Sequence, residues 1–199
     1  MKSIGTVDSP SNPMESAAAG VIGRGQAAPV ELDPGQWIGR GWKRECYLHP
    51  IDPGLCIKVA SDIPVGTPGW RERVVSLCRK GSVGDAHNRR EWKAYCAFGT
   101  ILAPFVPRYH GFIATSRGQG LVVDLVRDGD GAPSSQLRGW LHQASADRGA
   151  ALFDRFRVHF DFLAAHDLWL MDLNLQNFLV QVAADGTERP WLIDLKRLS

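Results

Sequence analysis

Leu170-Met171-Asp172-Leu173-Asn174-Leu175-Gln176-Asn177-Phe178-Leu179-Val180 is the stretch of this 199-residue chain whose chemistry can be read most directly. It follows a segment that ends in His166-Asp167 and runs into an apolar triplet, so it reads as helix end, loop and strand. Asp172 and Asn177 stand five positions apart in that loop. This spacing lets a carboxylate face an incoming hydroxyl while a carboxamide oxygen coordinates a metal on nucleotide phosphates. Asp194 lies in Leu192-Ile193-Asp194-Leu195, just past another short apolar run. A carboxylate leaving a strand end is well placed to bind magnesium. Singly, Asp172 also reads as a turn cap and Asn177 as an Asx-turn residue. The order and separation of all three favour the metal–phosphate reading.

Working toward the N-terminus, the next informative run is Leu55-Cys56-Ile57-Lys58-Val59-Ala60, an apolar strand interrupted by one lysine. A buried ammonium is costly unless an anion meets it. The alternative is a lysine on the solvent face of the strand. Glu91, on a helix expected over Ala86 to Phe98, could supply the partner; a solvated helix glutamate is the bland reading. Gly39-Arg40-Gly41 sits between two strands. It suits a loop whose backbone approaches phosphates closely, although a G-x-G is also an ordinary turn.

Around these residues the patterning gives a hairpin over Trp37 to Leu48 and a third strand at Leu55 to Ala60. A loop follows at Ile63 to Gly69, then the helix with Trp92, Tyr95 and Cys96 at helical offsets. Strands at Tyr109 to Ala114 and Leu121 to Val126 flank a turn at Thr115 to Gly120. A second helix at Ala151 to Ala165 carries the stripe Leu152, Phe156, Phe160 and Leu163, and strands at Phe178 to Val182 and Trp191 to Ile193 flank the turn Ala184 to Thr187. Residues 1–33 are rich in Ser, Pro, Gly and Ala without a period and read as a disordered tail, with order expected from near Trp37. The fold class is α+β.

The bulk numbers narrow the field. A net charge of +2 with nearly balanced acids and bases gives no reason to expect a nucleic-acid partner. Cys46, Cys56, Cys78 and Cys96 show no C-x-x-C spacing, so reduced, buried or half-buried thiols are expected rather than zinc or disulfides. No run approaches the roughly 18 apolar residues needed to span a bilayer, and no secretion signal opens the chain. A soluble cytoplasmic protein with no membrane partner is expected.

The chain resembles the protein-kinase-like superfamily and, within it, the bacterial YrbL family of PhoP regulatory network proteins. The resemblance rests on Ile38 to Pro50 with Cys56-Ile57-Lys58, on Arg90-Glu91-Trp92-Lys93-Ala94-Tyr95, on Pro107-Arg108-Tyr109-His110-Gly111 and on Asp172 to Val180, spanning about Gly35 to Asp194. It implies a two-lobed fold: a five-stranded antiparallel N-lobe with one helix over residues 34–126, and a truncated, mainly helical C-lobe over 127–199 with the catalytic and metal-binding loops. It implies that Gly39 and Gly41 cover the phosphates of ATP, and that Lys58 holds the α/β-phosphates while paired with Glu91. Asp172 would orient or deprotonate the acceptor hydroxyl, and Asn177 and Asp194 would bind Mg2+. Adenine would lie against the hinge at Leu121 to Arg127, read chiefly by backbone groups, with Asp124 and Val126 as its contacts.

The implied activity is that of a small atypical ATP- and magnesium-dependent phosphotransferase in a bacterial regulatory network, acting on a protein or small-molecule acceptor. Leu170-Met171 stands where protein kinases carry His-Arg, and Leu195-Lys196 replaces Phe-Gly after the metal-binding aspartate. No activation segment follows before Ser199, so a conventional protein-substrate platform is not expected. Two alternatives stay open: a catalytically inert pseudokinase that binds nucleotide or a partner, and an AMP transferase that holds ATP inverted. A reduced lobe that exposes apolar surface also favours homo-oligomers.

Overall fold

Runs of β-branched and aromatic residues punctuated by Gly, Pro and Asp between Trp37 and Asp124 build one antiparallel sheet. The computed structural model describes residues 28–41, 43–61, 83–168, 170–171 and 174–197; Asp172, Cys78 and the loop expected at Ile63 to Gly69 lie outside them. Strands β1 (Trp37–Arg40), β2 (Arg44–Leu48), β3 (Leu55–Ala60), β4 (Tyr109–Thr115) and β5 (Gly118–Asp124) pair in the order β1-β2-β3-β5-β4. The fold is mixed α+β, with this sheet as its largest element. The β4–β5 turn is tighter than the sequence pattern implies. Gly118 takes the left-handed conformation (φ +96°), and the Thr115 hydroxyl donates to its carbonyl, so β5 starts at Gly118 rather than at Leu121.

Helix α1 (Val83–Leu102) extends the expected Ala86 to Phe98 at both ends. It turns Asn88, Glu91, Ala94 and Leu102 into the interior, a face offset from the one the aromatics mark. Cys96 is therefore exposed rather than buried or half-buried, and Cys46, Cys56 and Cys96 are free thiols.

Beyond Arg127 come β6 (Ser135–Gln136), α2 (Leu137–Leu141), α3 (Ala146–Ala165), β7 (Leu170–Met171), β8 (Phe178–Val182), β9 (Glu188–Leu192) and β10 (Lys196–Arg197). The mainly helical region expected here thus also carries a three-stranded sheet, β6-β8-β9, and a β7–β10 ribbon. β9 begins at Glu188, earlier than the expected Trp191, because Pro190 sits on a strand that pairs only with β8, where a missing N–H costs no ladder bond. On α3 the buried stripe is Leu152, Phe156 and His159, whereas Phe160 is 42% exposed. At 100° per residue Phe160 falls well off the axis that Leu152, Phe156 and Leu163 share, and the buried His159 completes that stripe in its place.

One buried cluster runs from Cys56, Leu121 and Val123 of the sheet through Ala94 and Leu102 of α1 to Leu152, Phe156, Phe178, Val180 and Leu195. The other face of the sheet has its own smaller cluster of Leu32, Tyr47, Ile57 and Val59. Leu32 belongs to the stretch expected as tail. Val30 donates its N–H to the Ala114 carbonyl at 2.9 Å and Leu32 is buried against the sheet, so order begins ahead of Trp37.

The connection after β5 is pinned to the small sheet at Gly129, whose N–H donates to the Val182 carbonyl at 2.7 Å. A Cβ there would come within 2.3 Å of the Ala184 backbone nitrogen. Backbone cannot yield as a side chain can, so Gly129→Ala is expected to cost about 1–3 kcal/mol, read as a lower urea midpoint with an unchanged slope.

Candidate functional site

Side chains alternate across β2 and β3, and the register Cys46↔Lys58 puts Arg44, Cys46, Cys56 and Lys58 on one face. Ile57 and Val59 take the opposite face, with Tyr47. The first face looks onto α1 and onto the loop after β9. Lys58 therefore does not point to solvent: its Nζ donates to Glu91 Oε1 at 2.6 Å and to the carbonyl of Ile193.

Glu91 is 1% exposed and collects three donors, Lys58, Arg44 and the Tyr109 hydroxyl. Arg44 in turn spans two carboxylates, its Nη1 meeting Glu91 and its Nη2 lying 2.8 Å from Asp194 Oδ1. Asn88 closes the arrangement by accepting from Arg44 at 3.2 Å and donating to the Lys58 carbonyl at 2.8 Å. Two cations and two carboxylates thus form a neutral, largely buried quartet.

The electrostatics follow from that arrangement. Burial alone would raise the Glu91 carboxyl, but Arg44 and Lys58 outweigh it and bring its pKa down to about 2. Burial and the adjacent Glu91 charge push the Tyr109 phenol well above its usual range, which keeps it a donor. Burial also works against the Arg44 charge, but Glu91 and Asp194 more than offset it and hold the guanidinium above its ordinary value.

Three members of the quartet, Arg44, Lys58 and Asp194, line a cavity of about 550 Å³ between the sheet and the C-terminal region, within the range of small-molecule sites, roughly 300–1,000 Å³. Its apolar walls include Ile38, Val123, Leu125 and Leu179. The sequence-derived candidates Gly39, Gly41, Lys58, Asp124, Val126, Asn177 and Asp194 all line it. Glu91 does not face the cavity but lies behind Lys58. Packing does not demand either glycine, since a Cβ at Gly39 would meet nothing and one at Gly41 only the Arg44 carbonyl at 3.8 Å. The carboxylate of Asp124 is held by His110 Nε2 at 2.6 Å. Asn177 and Asp194 are brought together by a backbone bond, Ile193 N–H to the Asn177 carbonyl at 2.9 Å.

The donor set suits a ligand-shared cation. Among the described residues no group of three or more His, Cys, Asp or Glu could cage a metal by itself. An ion at Asn177 and Asp194 would need further oxygens from a bound molecule, as Mg2+ commonly takes from phosphates.

Arg44, Asn88 and Tyr109 were not singled out from the sequence. The period-2 alternation that places Arg44 with Lys58, and the i, i+3 relation of Asn88 to Glu91, were the signals available for two of them.

The family model for PhoP regulatory network protein YrbL matches residues 30–195. YrbL of Escherichia coli (strain K12) is 29% identical over 168 residues, covering 83% of this chain and 72% of that protein. YrbL of Shigella flexneri matches with the same identity and coverage. Among the described residues no helix is long and apolar enough to cross a membrane.

The quartet makes stability depend on acid in a defined direction. Glu91 is depressed from 4.5 to about 2 on folding, so its contribution is complete above pH 4.5 and is lost as the pH falls toward 2. Glu91→Gln removes one partner from a buried ion pair and is expected to cost about 3–5 kcal/mol at neutral pH. It is also expected to flatten the acid limb of a pH series of urea midpoints; a limb as steep as the parent's would assign the acid sensitivity elsewhere.

Proposed function

The chain belongs to the family of PhoP regulatory network protein YrbL, and from that premise we propose that it is an ATP- and Mg2+-dependent phosphotransferase of protein-kinase-like build. The observation that carries this reading is the Lys58–Glu91 pair at 2.6 Å, delivered to a cavity whose same end holds Asn177 and Asp194. A strand lysine fixed by a helix glutamate is the arrangement that presents an ammonium to the α/β-phosphates in protein kinases.

In this reading Gly39 and Gly41 lie over the phosphates, and their lack of side chains leaves the cavity roof open for close backbone approach. Adenine occupies the apolar part beside Val123 and Leu125, against the backbone of Asp124 and Val126. Asn177 and Asp194 hold Mg2+, which supplies neutralisation of charge on the transferred group. Asp172 orients the acceptor hydroxyl and takes its proton. The lobes of such a build would meet at this cavity, with residues 34–126 on one side and 127–199 on the other.

One observation favours a second reading, an inert nucleotide- or partner-binding module: the Asp194 carboxylate already carries a cationic partner, Arg44 at 2.8 Å. Purified protein with Mg2+-ATP separates the two. Phosphotransfer predicts a thermal shift, ATP turnover or a phosphate-mass adduct, and loss of turnover by about 10²-fold or more in Asp172→Ala, as for loss of a positioned proton acceptor. Binding without transfer, unchanged by Asp172→Ala, moves the assignment to the inert module. An AMP-mass adduct moves it to nucleotidyl transfer, and no binding at all overturns the nucleotide reading.

A further inference from the structure

We infer that Arg44 is a resident counter-cation that competes with a divalent cation for Asp194, and that its guanidinium, once released from Asp194, turns to the phosphates of the bound nucleotide. This deepens the magnesium-nucleotide reading above and rests on it.

The geometry sets up a competition. Arg44 Nη2 lies 2.8 Å from Asp194 Oδ1, with the two side chains only 14% and 16% exposed. A guanidinium has donors and no acceptor, so it neutralises Asp194 but cannot share a coordination shell with a metal. Mg2+ on the same carboxylate would sit at about 2.0–2.1 Å from oxygen, which places two positive centres against one another at a partly dehydrated site. The two cations therefore compete for Asp194, each weakening the hold of the other.

Arg44 is also built to let go of one partner without losing its place. Its Nη1 keeps Glu91 and Asn88, the latter at 3.2 Å, when the Nη2 contact is given up. Glu91 in turn keeps Lys58 at 2.6 Å, so no buried charge is left alone. Arg44 itself lines the cavity, as do Gly41 and Lys58. The spacing Gly39-x-Gly41-x-x-Arg44 puts arginine where the general G-x-G-x-x-G loop has its third glycine. A planar fork that leaves a carboxylate is suited to grip a phosphate next. Asp194 therefore stays neutralised in the empty protein by its own chain, and Mg2+ and nucleotide are taken up together.

The test uses Mn2+ as the probe, followed by electron paramagnetic resonance on the full chain. Arg44→Gln is expected to bind Mn2+ about tenfold tighter than the parent protein, the scale of one charge-assisted contact removed from the competition. Adding Asp194→Asn is expected to abolish the gain. Equal or weaker Mn2+ binding in Arg44→Gln, or a gain that survives Asp194→Asn, overturns the proposal. If the parent protein binds Mn2+-ATP while Arg44→Gln shows no change, the counter-cation role fails and the magnesium-nucleotide reading stands. If no form binds Mn2+ with or without ATP, both fail. Should Arg44→Gln not fold, nitrogen-15 resonances of the Arg44 guanidinium in the parent protein decide. Displacement on saturation with Mg2+ and a non-hydrolysable ATP analogue is expected, and an unmoved resonance overturns the proposal.

Discussion

Glu91 is a carboxylate with 1% of its side chain exposed, and the structure around it is organised to make that tolerable. An isolated buried charge is costly enough that the group would sooner take up a proton. Here β3 supplies Lys58, β2 supplies Arg44 and β4 supplies Tyr109, and all converge on the two Glu91 oxygens. Two of those partners are anchored a second time. Lys58 reaches the Ile193 carbonyl and Arg44 reaches Asp194. A single demand for charge balance therefore fixes α1 against the sheet and draws in the loop after β9.

That demand also shapes the cavity. Lys58 and Arg44 are held in its wall together, while Ile38 and Val123 of the sheet and Leu179 of β8 supply apolar wall beside polar residues such as Asp124, Ser134 and Gln136. The far face of the sheet carries a separate network, in which Glu45 takes Arg117, the Tyr47 hydroxyl and Ser61, the last at 3.1 Å. Strict alternation along β2 keeps the two networks apart, with Arg44 and Cys46 inward and Glu45 and Tyr47 outward. The segment from Val30 to Leu32 closes that outer face.

Much of this is legible in the chain because it depends on local period and spacing. The five strands of the large sheet, α1 and the β8–β9 hairpin follow from alternation, turn residues and apolar runs. The grouping of Lys58, Asn177 and Asp194 is what the family resemblance implies, and all three line one cavity. What was not legible depends on distant partners. Leu32 looks like tail because its neighbours are small and polar, and only the exposed sheet face gives it a place. Pro190 looks like a breaker until β9 is known to be an edge. His159 reads as polar, yet its ring lies between the Arg155 and Pro190 carbonyls and completes the α3 stripe in place of Phe160. Arg44 is one of many charged residues in a loop-like stretch, and its role appears only when the Asp194 loop folds back beside it.

The most direct measurement is a crystal structure of the protein with Mg2+ and a non-hydrolysable ATP analogue. The account predicts the triphosphate between Gly39-Gly41 and Lys58, the metal on Asn177 and Asp194, and the Arg44 guanidinium moved from Asp194 onto a phosphate. A nucleotide bound elsewhere, or an Arg44–Asp194 pair that stays intact at saturating ligand, would contradict it.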